Sequence, residues 1–153
     1  MLAAYDYLRE IDPSRLDADK LVRERLSLEQ ILAANDARFG AAAGPLNETS
    51  RKKYLPADRF ASYIHKAVEG WDQMWQEITP YTAKLSFVRE RLLAAGLPLT
   101  LASVQRTPQQ AVDALLFGSR YRLRYTFLDL AWDLGLFPAA AEVILERSRV
   151  LHG

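Results

Sequence analysis

Three arginines stand at alternate positions, Arg120, Arg122 and Arg124, and lead directly into Tyr125 and Thr126. A guanidinium presents a planar fork of donors that fits a carboxylate or a phosphate. The three arginines are therefore candidates for the wall of a binding site. If a helix runs through Arg124, successive residues turn by about 100°. Arg120 and Arg124 then lie about 40° apart on one flank of the stripe Val112, Leu116, Ser119 and Leu123, with Arg122 on the other flank. On that geometry Arg120 and Arg124 can share one anion, but the three do not converge. The alternative is that each arginine lays its stem along the edge of the core and turns its charge to water.

The other side chains offer less chemistry. His65 and His152 are the only histidines, and their spacing excludes an HExxH zinc pair. His65, between Ile64 and Lys66, reads as a packed or surface residue, and His152 lies next to the C-terminus. There is no cysteine, so disulfides and thiolate metal sites are excluded. The seven glycines form neither GxGxxG nor GxxxxGK[ST], so no phosphate-cradling loop is encoded. Carboxylates are plentiful, but on surface helices they often pair with Lys or Arg one turn away, and none stands out as an acid or base. No catalytic, cofactor-binding or metal-binding residue is assigned. The basic run Ser50–Tyr54 reads as a solvated helix face. Tyr63, Trp71 and Trp75 fall on an apolar stripe and read as core, not as a stacking platform.

The elements that must position these residues are helical. A chain of 153 residues, half apolar and a quarter charged, is expected to form one globular domain spanning 1–153. A formal net charge of +1 gives no global field to attract nucleic acid or an anionic membrane. The first residues contain Asp6 and Glu10 and no long apolar run, so neither a signal peptide nor a membrane span is expected, and a cytoplasmic setting fits.

Leu2, Tyr5 and Leu8 predict a first helix, which Asp12-Pro13 stops and which begins without a capping residue. Asp17 caps a short segment, and Ser27 with Gln30 predicts a helix over about 28–38. The GAAAGP stretch at 40–45 reads as the clearest loop, and Asn47 as the start of a short basic helix. Pro56 opens a long amphipathic helix carrying Phe60, Ile64, Val68, Trp71, Trp75 and Ile78, which Thr79-Pro80 ends. A further helix covers about 84–95, a turn covers 101–105, and Thr107-Pro108 starts the helix that leads into the arginines. Thr126 with Asp129 caps another helix, ended by Gly135, and Pro138 starts the last. No alternating strand pattern and no internal repeat is present, so the fold expected is all-α, a multi-helix bundle of roughly seven to nine helices.

The segment RYRLRYTFLDLAWDLGLF, Arg120–Phe137, resembles the RDRYTVLDLAWELGLL segment near the end of bacterial sn-glycerol-1-phosphate dehydrogenase-like proteins. Those belong to the iron-containing alcohol dehydrogenase / dehydroquinate synthase-like superfamily. ETSRKKYLPADRF, the Trp71–Trp75 helix, VRERLLAAGLPLTLASV and TPQQAVDALLFGSRYRLRYT occur in the order of that family's C-terminal helices. LAAYDYLREIDPSRLD is similar to a further helix of the family. The resemblance spans essentially the whole chain, with RxRYTxLDLA as its specific part.

The resemblance implies the C-terminal helical domain of a metal- and NAD(P)-dependent polyol-phosphate dehydrogenase. Family members bind NAD(P) in an N-terminal Rossmann-like half and hold a divalent metal with one Asp and two His. Those elements would lie upstream of Met1, so the chain alone is expected to bind no cofactor and to be inactive. The first helix, uncapped, fits a natural start before Met1. The implied partner is a separate Rossmann and metal-binding half; a homo-oligomer is the other assembly expected. His152-Gly153 is similar to a family ligand motif but stands at the wrong end and is not carried over. The family's Asp between the last two arginines is Leu123 here, so a salt link at that position is lost. Arg122, Arg124, Tyr125 and Thr126 match the motif, which implies the C-terminal wall of a substrate cleft where arginine faces a phosphate. The alternative is a stand-alone, non-catalytic helical interaction module derived from that family, in which these residues orient helices and pack.

Overall fold

The computed structural model describes residues 2–82, 84–97 and 99–150. Every regular element among them is helical, as the periodicity predicts. The α-helices are α1 (Leu2–Arg9), α2 (Ala18–Arg23), α3 (Leu28–Phe39), α4 (Gly44–Lys53) and α5 (Ala57–Glu69). They continue as α6 (Trp71–Ile78), α7 (Leu85–Ala94), α8 (Pro108–Phe117), α9 (Phe127–Asp133) and α10 (Ala140–Ser148). No helix among the described residues is long and apolar enough to cross a membrane.

Local side-chain chemistry sets several of these starts. Asp17 accepts the backbone N–H of Lys20 at 2.9 Å. Ser27 accepts the N–H of Gln30 at 3.2 Å, and Gln30 returns the bond to the N–H of Ser27 at 2.8 Å. Thr107 and Gln110 repeat that reciprocal pattern at 3.2 and 3.0 Å. Each satisfies helix-end donors that have no partner inside the helix. Gly135 ends α9 at φ +65°, a left-handed conformation that only glycine adopts at little cost.

Two expectations are corrected. The 40–45 loop is narrower than its composition suggests. Gly40–Ala43 forms a 3₁₀ turn, and α4 begins at Gly44, ahead of Asn47. Pro45 is tolerated in the first turn because the N–H it lacks would find no partner there anyway. The long helix from Pro56 is two helices. Gly70, at φ −91° and ψ 15°, closes α5 and opens α6, so the apolar stripe turns a corner there.

The main core joins both ends of the described chain. Ala3, Ala4, Tyr5 and Leu8 of α1 meet Trp71 and Trp75 of α6. Leu128, Leu130 and Ala131 of α9 and Ala140, Ala141 and Ile144 of α10 complete it. Tyr5 sits edge-on to Trp75 and to Phe127, each at 5.1 Å between ring centroids, and Trp75 stacks on Phe127 at 5.7 Å. The offset and edge-on geometries suit the ring quadrupoles. Phe60 and Ile64 of α5 are fully buried, and α2 packs along that helix.

Candidate functional site

The arginine segment is not one continuous helix. α8 ends at Phe117, Gly118–Tyr121 forms a 3₁₀ turn, and Arg122 is extended at φ −134° and ψ 142°. The 100° arithmetic therefore does not reach Arg124, and Arg120 and Arg124 do not form a shared anion site. Leu123, expected on the buried stripe, is 60% exposed, whereas Ser119 is buried.

Arg120 points inward. It is 7% exposed, and its guanidinium donates to Oδ1 of Asn35 on α3. It also lies over the rings of Phe117 and Trp132, at 4.8 and 5.0 Å from their centroids. Asn35 passes its amide protons to Asn47 at 2.8 Å and Ser50 at 3.4 Å, both on α4. Burial pulls the Arg120 pKa down to about 10, with Asp129 acting in the opposite direction. The group remains cationic at neutral pH and serves as a structural joint between α3, α4 and the 3₁₀ turn. Its guanidinium faces the protein interior, away from any ligand at the surface.

Arg122 and Arg124 are exposed, and neither side chain is paired with a carboxylate among the described residues. Their backbone, by contrast, is pinned. Lys53 donates to the carbonyl of Ser119 at 3.1 Å, to that of Arg124 at 3.4 Å, and to Asp129 at 2.5 Å. Asp129 in turn accepts the backbone N–H of Thr126 at 2.7 Å and its hydroxyl at 2.9 Å, which holds the N-terminus of α9 as expected. The basic run 50–54 is thus split. Arg51 and Lys52 face water as predicted, while Lys53 is turned into the structure.

Tyr125 leads to an acidic cluster that sequence reasoning missed. Its hydroxyl donates to Oδ2 of Asp133 at 2.6 Å and meets the hydroxyl of Tyr63 on α5. Since Tyr125 spends its one proton on Asp133, Tyr63 is the donor in the second bond. Half of the Tyr125 surface is exposed, while the hydroxyl itself is engaged from two sides. Burial pushes the Asp133 carboxyl up to about 6, helped by Asp129 on the same helix and opposed by the Tyr125 hydrogen bond, Arg25 and Lys53. Burial likewise raises Tyr63 to about 12 and raises Tyr125 further. Arg25 sits 3.8 Å from the ring centroids of both Tyr54 and Phe60 and donates to the carbonyl of Leu55 at 2.8 Å.

Tyr63, Tyr125 and Thr126 line a groove of about 960 Å³ between α5–α6 and the start of α9. Its volume is at the upper end of the range of small-molecule sites. Arg59 and Lys66, both exposed, also line it, and Met74, Ile78, Phe127 and Leu130 are its apolar lining. The side chains lining it are cationic, hydroxyl-bearing and apolar.

The histidines stay outside this site. His65 is half exposed on α5, 3.2 Å from Asp19, and His152 lies outside the described residues. No three His, Asp or Glu side chains gather as a metal site among the described residues. Trp71 and Trp75 are core, as predicted, and Tyr63 is only partly buried. No protein-family description, curated protein or solved structure matches the chain.

Proposed function

We propose that the chain is the C-terminal helical part of a cytoplasmic, metal- and NAD(P)-dependent glycerol-1-phosphate dehydrogenase-like oxidoreductase, not catalytic by itself. The reading rests on the resemblance of Arg120–Phe137 to that family. One structural observation carries it further. Arg122 and Arg124 leave a backbone fixed by Lys53, Asp129 and Thr126, yet their guanidinium groups reach solvent without a carboxylate among the described residues. Fixed backbone with free charge suits an anion-facing wall that a second half completes. No chemical step is assigned to these residues alone.

The test is to co-express the chain with a Rossmann and metal-binding half of such an enzyme and assay NAD(P)-linked turnover of dihydroxyacetone phosphate. A complex with activity is expected, and R122A/R124A should cut turnover at least tenfold while the complex persists. Absence of both complex and activity would sink the proposal.

A second reading, a stand-alone non-catalytic helical module, is favoured by the core itself. α1, α6, α9 and α10 bury one another within a single chain. That reading expects a stable monomeric fold that ignores the Rossmann half, and measurable NAD(P) affinity of the isolated chain would count against it.

A further inference from the structure

We propose that the α5–α6 groove binds a single-chain amphipathic anion: a straight apolar chain of medium length carrying one anionic head. Arg59, Ser62 and Lys66 fall at i, i+3 and i+7 of α5 and share the face that borders the groove. Arg59 and Lys66 are about 10 Å apart along the helix axis, so two long side chains can close on one head group above Ser62. No carboxylate lines the groove. Asp129 is engaged by Lys53 and Thr126, and Asp133 by Tyr125. The charged side chains that line the groove are therefore both cationic, although the whole chain carries only +1.

Beyond the head the lining changes character. Met74 and Ile78 of α6 face Phe127 and Leu130 across the groove, with Ala67 at the corner near Gly70. Arg59, Ser62 and Lys66 lie on α5, and Met74 and Ile78 on α6, beyond the corner at Gly70. The charged and the apolar lining are thus carried by successive helices, which suits an amphipathic ligand and not a compact polar metabolite. The methionine supplies a wall that adapts to chain shape. This inference does not depend on the dehydrogenase reading, because it uses the α5–α6 side of the groove and neither Arg122 nor Arg124.

The test titrates the isolated full chain with decanoate below its micelle concentration, followed by calorimetry and by tryptophan fluorescence. Trp75 stacks on Phe127 of the groove wall and should report occupancy. Binding at one-to-one stoichiometry is expected, weakening about fourfold for each methylene removed, the equivalent of ~0.8 kcal/mol per buried CH₂. Decanol should bind at least tenfold more weakly than decanoate. R59Q/K66Q should erase that difference with an unchanged melting temperature, since both residues are exposed. Equal affinities for decanoate and decanol, or full decanoate affinity in R59Q/K66Q, would overturn the proposal. So would binding seen only with phosphatidylglycerol vesicles, which would mark a membrane-surface site. Dehydrogenase co-assembly is read separately, so failure of either idea leaves the other measurable.

Discussion

The guanidinium of Arg120 donates to the side-chain oxygen of Asn35, eighty-five positions earlier in the chain, inside the protein. The pair joins α3 to the turn that precedes α9, and Asn47 and Ser50 extend it into α4. Removing one member leaves a buried amide without its partner, a loss larger than that of the bond alone. Arg120→Ala is expected to cost about 3 kcal/mol, the upper end for leaving a buried polar partner unsatisfied. Arg120→Lys should not restore it, because an ammonium cannot stack flat between Phe117 and Trp132 while reaching Asn35. Chemical denaturation of the three proteins checks this. Equal midpoints for Arg120→Lys and the wild type would refute the planar-fork account.

Asp133 gives a pH dependence of defined sign. Its folded pKa of about 6 lies above the ordinary 3.8, so the fold favours the protonated carboxyl. The extra stability is full below about pH 4 and is lost as pH rises through about 6. The loss is no more than about 3 kcal/mol, the free-energy equivalent of moving a carboxyl from its ordinary pKa to that value. Asp133→Asn keeps an acceptor for Tyr125 and should flatten the slope. Melting temperatures of both proteins between pH 4 and 8 decide it. Parallel curves would rule Asp133 out as the source.

Lys53 holds two carbonyls and one carboxylate at once. Lys53→Met keeps the stem and removes the charge, leaving Asp129 without its cation. The expected cost is about 2 kcal/mol, within the range for hydrogen bonds to charged groups. The clearer sign is local. Amide exchange should accelerate over 119–126 and stay unchanged in α1 and α10. Uniform acceleration across the chain would mean that Lys53 acts on the whole fold.

Arg122 and Arg124 should behave in the opposite way. Both are exposed and unpaired with carboxylates among the described residues, so R122A/R124A should shift stability by less than about 0.5 kcal/mol. Differential scanning calorimetry tests this. A large loss of stability would place the two arginines in the packing, and with it remove the structural support for an anion-facing wall.

The sequence reveals what is settled within three or four residues. Asp17, Ser27 and Thr107 announce their helices because each cap bonds a backbone group one turn away. The inward turn of Arg120 has no such signal, since its partner Asn35 reads as one more polar residue on α3. The stripe through Ser119 and Leu123 fails for a related reason. Thr126 is itself extended where it caps α9, and Lys53, from α4, holds the carbonyls of the connecting turn. Periodicity cannot register an ammonium arriving from another helix. Asp133 is one of nineteen acidic residues, and only tertiary packing brings it to Tyr125 and Tyr63.

The packing of α1 against α10 bears on the order of events during synthesis. Ala3, Ala4 and Leu8 are made long before Ala140, Ala141 and Ile144, yet these are among their buried neighbours. On the ribosome α6 and α9 can cover part of α1, but the side of α1 that meets α10 stays uncovered until α10 has left the exit tunnel. Chaperones that shield early apolar segments should therefore hold this chain longest by α1, and slowing translation should lengthen that exposure without hastening closure.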